Sequence, residues 1–400
     1  MNGNKQTAGR ITIHYAAAFA VYFAAFCMIR SFISVYLLDV GFTYTQVGII
    51  TGIHMFFTAA IQPNFSLIFD RFPKLGLRRF IALCCVPAVL SSVLTFFLPA
   101  NLFTYVMLYI VFAVCEIGVQ SLMVSMGMEY VNAGIPINAG LGRGVGSLGY
   151  AAANLILGML IVRFGSPVSQ RLNILLMILF AVLVLTMPDP AASDAEKKEE
   201  MDDAPSDTLL SFLRGNRVFA LFAFSELFIF FSHCILNTYM PNIAAQFGLG
   251  SDFTGLANSL AACLELIPMM FFAQISKRIR PMKLLYISAV FFTLKILTAA
   301  LARNAAGLIL SQTMQMCAYA LFSVASIYFA NQAVRPHNRV MAQGLLVGAC
   351  EAGFMIGSLV GGVILDHSSV SSLLRLGCGI SLVGSILMIV SVRKFEKQTD

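Results

Sequence analysis

The feature that most limits the fold of this chain is a series of twelve apolar runs of about 20 residues each, without the period-two alternation of barrel strands. An unpaired backbone group in hydrocarbon costs several kcal/mol, so a spanning segment must be a helix or part of a closed barrel. A run of about 20 residues has the length a helix needs to cross a hydrocarbon layer of ~30 Å. With 58% hydrophobic and 11% charged residues, the 400-residue chain carries more apolar surface than one water-facing core could hide. The expected fold is therefore all-α and integral to the membrane. Its spans are expected at roughly 12–37, 45–69, 80–98, 102–127, 142–164, 172–187, 218–243, 253–276, 283–301, 306–330, 340–365 and 372–392. The first run is too long for a signal-peptide core and lacks a small-residue cleavage site, so it reads as a retained helix.

An even number of spans leaves both termini on one side. Of the 26 Lys and Arg, 20 fall on that side, four (Arg163, Arg171, Arg303, Arg375) on the other, and Arg30 and Lys295 within spans. Positive charge stays cytoplasmic, so the termini and the central loop are expected in the cytoplasm and the protein in the cell (inner) membrane. The net charge of +7 is accounted for by this bias and calls for no nucleic-acid partner.

Segment 189–203 is acidic and has no apolar period, which marks a flexible linker. The expected organisation is an N-terminal six-helix bundle at 1–187, a linker at 188–216 and a C-terminal six-helix bundle at 217–400. The halves repeat each other. Phe69-Asp70-Arg71 is matched by Ser276-Lys277-Arg278 and Val47-Gly48 by Thr254-Gly255, all at an offset of 207. Membrane proteins built from repeats bind solutes near the bilayer midplane at the repeat interface, so the expected activity is transport.

Polar residues at helical spacing tell which spans meet water. Arg143, Ser147, Tyr150 and Asn154 share one face, as do Thr51, His54, Thr58 and Gln62, then Glu226, His233 and Asn237, and finally Gln312, Gln315 and Tyr319. Lipid would reject such stripes, so they are expected to line an aqueous cavity, while the featureless third, sixth and twelfth spans lie at the periphery. Gly353, Gly357 and Gly361, and likewise Gly142 and Gly146, form small-residue faces for close helix packing.

Ionisable groups within spans are costly and are functional candidates. At ~1.5 Å per residue, Glu116 lies roughly 21 Å into its helix, and Glu265, Lys295 and Glu351 roughly 18 Å into theirs. These four share a level near the midplane, with Glu226 shallower toward the termini and Arg30 toward the opposite side. Four carboxylates against two cations leave at least two without a full partner. A poorly solvated carboxylate favours its protonated form, which is the property a proton-coupled carrier needs. Glu265, Lys295, Glu116, Glu351 and Glu226 are therefore the candidates for proton coupling. A static Glu265 and Lys295 pair and a structural Glu116 remain open alternatives, as do packing roles for His54 and His233.

Other chemistry is poorly supported. The nine cysteines all lie in expected spans without a C-x-x-C, so neither disulfides nor a metal is expected. Gly144-Val145-Gly146-Ser147-Leu148-Gly149 fits G-x-G-x-x-G, yet no strand precedes it, so no dinucleotide cofactor is expected. No nucleophile with a base and no phosphate loop stands out, so the chain is not expected to be an enzyme.

Between the second and third spans, Asp70-Arg71-Phe72-Pro73-Lys74-Leu75-Gly76-Leu77-Arg78-Arg79 resembles the loop signature of the major facilitator superfamily, with two extra residues and Ser66 where a glycine is usual. The resemblance implies 12 transmembrane helices in two pseudo-symmetric bundles, and a role for Asp70, Arg71, Gly76, Arg78 and Arg79 in stabilising one face of an alternating cycle. More narrowly, Ser34-Val35-Tyr36-Leu37-Leu38-Asp39 with Gly48-Ile49-Ile50, and Arg143 to Tyr150, are similar to the oligosaccharide/proton symporters related to lactose permease. That similarity implies that Arg143 hydrogen-bonds the solute and Tyr150 stacks on it. It places Glu265 and Lys295 where that group keeps a substrate-linked acid and a proton-linked base. The chain departs from the group at Gln315, Ala318, Asn237 and Ser125, where titratable residues are usual, and Glu116 and Glu226 are candidates for the vacated roles.

The expected activity is proton-coupled symport of a small polar solute, with a sugar, oligosaccharide or glycoside favoured and a nucleoside next, by a monomer. Arg143, Tyr150, Asn154, Glu265, His233, Asn237, Gln315 and Arg30 are the expected solute contacts. A proton-driven efflux antiporter is the competing reading, weakened because no proline lies between Gly142 and Phe164. A non-transporting receptor is the third.

Overall fold

The computed structural model describes residues 2–61, 75–133, 135, 139–188, 209–335 and 338–399. Among these residues there is no strand, and twelve helices are long and apolar enough to cross a membrane. In chain order they are α1 (Asn2–Arg30), α2 (Tyr44–Ile61), α3 (Leu77–Leu94), α4 (Leu102–Phe112, continuing to Gly118–Asn132), α5 (Ala139–Phe164) and α6 (Val168–Thr186). The second half repeats this with α7 (Arg217–Thr238), α8 (Ser251–Met270), α9 (Pro281–Leu301), α10 (Ala305–Thr313, continuing to Tyr319–Ala333), α11 (Arg339–His367) and α12 (Val370–Thr399).

Five expected spans are interrupted, each where a backbone group finds a tertiary partner or the chain leaves the helical region. The first ends at Arg30, and a separate helix, Ile33–Val40, follows Phe32, whose φ of −120° and ψ of 23° are not helical. The fourth widens into a π turn at Ala113–Ile117, and the Tyr22 hydroxyl donates to the Glu116 carbonyl at 2.9 Å. The seventh breaks at Tyr239, whose φ of −108° and ψ of 13° are not helical, before a short helix, Met240–Ala245. The eighth turns at Phe271 before a short helix, Phe272–Arg278. The tenth tightens into a 3-10 turn at Met314–Met316, and the Ser288 hydroxyl donates to the Ala318 carbonyl at 2.7 Å. The expected linker also proves partly helical. Leu209–Gly215 forms a short helix anchored by the fully buried Phe212, packed edge-on to Phe219 with ring centroids 5.6 Å apart.

The glycine faces pack within each half, with Gly142 and Gly146 against Tyr15, Phe19 and Phe23 of α1, and Gly353 and Gly357 against α7. Between the halves, α2 packs on α11 and α5 on α8. A Cβ on Gly48 would lie 2.6 Å from the Ser358 carbonyl, and one on Gly158 would lie 3.1 Å from Gly255 Cα, so the backbones touch.

These crossings lie toward the face opposite the termini. That face is also held by Asp366, which accepts from the Tyr44 and Thr45 amides at 3.0 and 2.7 Å. Ser34 donates to the Thr238 carbonyl at 2.8 Å, and Thr51 hydrogen-bonds Ser358. Nearer the termini the same helices part, and a Cβ on Gly144, Gly344 or Gly348 would meet nothing within 4 Å.

Candidate functional site

The gap between the halves is a central cavity of about 340 Å³, lined among the described residues by α1, α4, α5 and α7 to α11. None of its described lining comes from α3, α6 or α12, as expected of peripheral helices. A smaller pocket of about 50 Å³ lies beyond it, away from the termini. Arg30, Tyr150, Asn237, Asn258 and Phe354 line both spaces and so form the partition between them.

At the cavity wall, Gln315 Nε2 donates to Glu265 Oε1, and Lys295 Nζ donates to Gln315 Oε1. A neutral amide therefore bridges the two charges, where the sequence left open a direct ion pair. The 3-10 turn of α10 sets Gln315 between α8 and α9, and the Ser311 hydroxyl donates to the Lys295 carbonyl at 2.7 Å, tying α9 to the same turn. Lys295 is buried to 2% exposure and Gln315 to 4%, so the chain of bonds runs in a region of low dielectric where each counts for more.

Around this relay the structure gathers most of the expected solute contacts. His233 and Asn237 line the cavity, with the Asn237 amide donating to the His233 carbonyl at 2.8 Å and the His233 ring stacked on Tyr319 at 5.5 Å and 8°. Tyr150 lines it from α5 and shares a 2.8 Å hydrogen bond with Ser31. Arg30 reaches in from the end of α1, its Cζ 5.4 Å from the Phe26 ring and 5.5 Å from the Phe354 ring. Glu351 lines the cavity from α11, and its Oε2 is buried without a hydrogen-bond partner.

Three expected residues point elsewhere. Glu116, 1% exposed, faces the interior of the first bundle, where the Asn173 amide donates to it at 3.3 Å and Ser92 in turn donates to Asn173 at 2.9 Å. The π turn of α4 resets the helical register, so that Gln120 and not Glu116 meets the cavity. Glu226 is 1% exposed within the second bundle, away from the cavity lining, and its Oε1 has no hydrogen-bond partner. Asn154 is buried at the crossing of α5 and α8, its amide donating to the Tyr150 carbonyl at 3.0 Å.

Arg143 lies on α5, its side chain outside the described residues, as are Asp70 and Arg71 altogether. Of the remaining loop signature, Gly76 starts α3 at a φ of +72°, Arg78 Nη1 donates to the Met187 carbonyl at 2.7 Å, and Arg79 is exposed. The sequence reading missed Asn258, Gln120 and the Phe26 and Phe354 rings. Asn258 and Glu265, seven apart on α8, were its available signal. Among the described residues no group of His, Cys, Asp or Glu could hold a metal ion.

Twelve spanning helices in two packed sets, with a polar cavity between them closed toward one face, define a membrane transporter of the major facilitator type. The chain belongs to the MFS_1 like family, whose profile matches residues 12–376. Solved structures share the fold. A mutant form of the nucleoside transporter NupG aligns at a TM-score of 0.82 with 14% identity, covering 95% of this chain and 99% of that one. The POT family transporter PepTSo aligns at 0.76 with 12% identity over 97% and 99%, and a D-xylose-proton symporter at 0.71 with 14% identity over 94% and 96%. No curated protein sequence matches.

Proposed function

We propose that this protein is a secondary active transporter that carries a small polar solute together with protons by alternating access, with a sugar, oligosaccharide or glycoside favoured and a nucleoside next. The observation that carries this reading is the Glu265, Gln315 and Lys295 chain on the wall of a cavity that lies between two bundles. A carboxylate coupled to a cation through a neutral amide can take up a proton and release the amide to a solute. Solute binding and proton binding are then linked at one place. Of the charged candidates, Glu265, Lys295 and Glu351 face the solute's space and are assigned the coupling, with Arg30, Tyr150, His233 and Asn237 as solute contacts.

In this reading the halves, 1–187 and 217–400, rock about the cavity, and the structure described is the state open toward the termini. The termini lie in the cytoplasm and the state is inward-facing. Asp70, Arg71, Gly76, Arg78 and Arg79 stabilise the opposite state. Arg143 remains a candidate solute contact, consistent with the resemblance to oligosaccharide/proton symporters. The neighbours described as transporting nucleosides and as a D-xylose-proton symporter support both favoured cargo classes.

The test is solute-driven proton movement into proteoliposomes across a panel of sugars, glycosides and nucleosides. Protons entering with a solute support symport, and protons moving against it point to an efflux antiporter. Glu265→Gln is expected to abolish accumulation driven by a pH gradient while leaving solute exchange. Intact accumulation in that variant would remove Glu265 from the coupling.

A further inference from the structure

Resting on the reading of this cavity as a proton-coupled solute site, we infer that its cargo bears a single carboxylate on a small polar scaffold, and that Arg30 is the residue that selects it. Rings from both halves lie against the Arg30 guanidinium, Phe26 at 5.4 Å and Phe354 at 5.5 Å from its Cζ. Cation–π contacts at these distances hold the guanidinium without using any of its five N–H donors. Among the described residues those donors have no hydrogen-bond or ion-pair partner, yet Arg30 lines both the central cavity and the pocket beyond it. A planar fork held by rings and facing an open space is suited to a planar, two-oxygen acceptor.

The charge count of the cavity points the same way. Its described lining carries two cations, Arg30 and Lys295, and two carboxylates, Glu265 and Glu351, beside the titratable His233, Tyr150, Tyr319 and Cys350. The fixed charges balance. When one carboxylate carries the transported proton, the lining holds one positive charge in excess, a costly condition in a poorly solvated space. A monoanionic cargo cancels that excess, whereas a neutral one leaves it. Proton and anion thus each favour the binding of the other, as linkage requires. Lys295, 2% exposed, is tied to Gln315 by one of its three donors and is a compact point charge, whereas Arg30 offers a planar fork of five donors. The buried Glu351 oxygen that lacks a partner, once protonated, can donate to the same carboxylate.

The experiment compares matched pairs on the full chain in proteoliposomes: glucose with glucuronate, galactose with galacturonate, and uridine with its 5′-carboxylate. At least one acid is expected to drive proton uptake with a half-saturation about tenfold or more below that of its neutral partner. Proton and monoanion together carry no net charge, so that uptake is expected to ignore an imposed membrane potential. Arg30→Gln should erase the preference for the acid, and Arg30→Lys, which keeps the charge without the fork, should reduce it. If only neutral members move protons, or if Arg30→Gln keeps the acid preference, the inference falls while the proposed symport stands. If no pair moves protons in either direction, both fall.

Discussion

Gly48 of α2 and Gly255 of α8, 207 positions apart, occupy equivalent places in the two crossings that join the halves. A Cβ on Gly48 would press on the Ser358 carbonyl of α11, and one on Gly255 on the Asn154 carbonyl of α5. The repeat legible in the sequence is thus a repeat of the contact that closes one face. Both glycines sit where backbone meets backbone, so a neighbouring side chain cannot move aside to make room.

Gly48→Ala and Gly255→Ala should each pry the closed face apart. Overpacking of this kind costs about 1 to 3 kcal/mol, enough to move a two-state balance by roughly fivefold or more. Spin-label distances between the far ends of α2 and α11 should lengthen in the Gly48 variant. An unchanged distribution would show that the crossing tolerates the methyl and does not set the balance.

Asp366→Asn should loosen the same face less. Its carboxylate caps the N-terminus of α2 through two amides, an interaction of charge with helix dipole worth about 0.3 to 1 kcal/mol, and asparagine keeps one acceptor. The same distances should shift by a smaller fraction than with Gly48→Ala. Equal or larger shifts would mean that charge, not packing, dominates the closure.

Glu116→Gln should leave proton-coupled uptake within about twofold, because the amide still accepts from Asn173 and the residue lies off the cavity. Asn173→Leu, by contrast, removes the partner of both Glu116 and Ser92 and should cost about 1 to 3 kcal/mol of stability, read as a lower melting temperature in detergent. Loss of coupling in Glu116→Gln at an unchanged melting temperature would return Glu116 to the proton path.

Gln315→Leu should separate proton coupling from solute exchange. With the amide gone, Glu265 and Lys295 lose their shared bridge. Accumulation driven by a pH gradient should fall about tenfold or more while exchange of labelled solute at equal concentrations continues. Parallel loss of both activities would indicate a damaged cavity and not a broken relay.

The spans, their number and one polar stripe could be read because each depends on neighbours three or four positions away in the chain: Gln312, Gln315 and Tyr319 all reach the cavity, whereas Thr51 and His54 of α2 are buried against Ser358 and the Tyr109 carbonyl and do not line it. The helix interruptions could not. The π turn at Glu116 and the 3-10 turn at Gln315 stand beside partners far along the chain, Tyr22 and Ser288, that satisfy nearby carbonyls. Those turns help decide which way nearby groups point, and Glu116 in the π turn faces a bundle interior instead of the cavity, as does Glu226 on the unbroken α7.

By itself, then, the amino-acid order determined that the chain is a twice-repeated set of membrane helices with ionisable groups held at midspan, since hydropathy and helical period are local properties. Only the tertiary structure decided that Glu265 meets Lys295 through Gln315, that Arg30 lies against rings from both halves, and that one face is closed. The reason is geometric. A residue advances about 100° around its helix, so a single widened or tightened turn redirects every side chain beyond it, and nothing short of the packed neighbours specifies where such a turn falls.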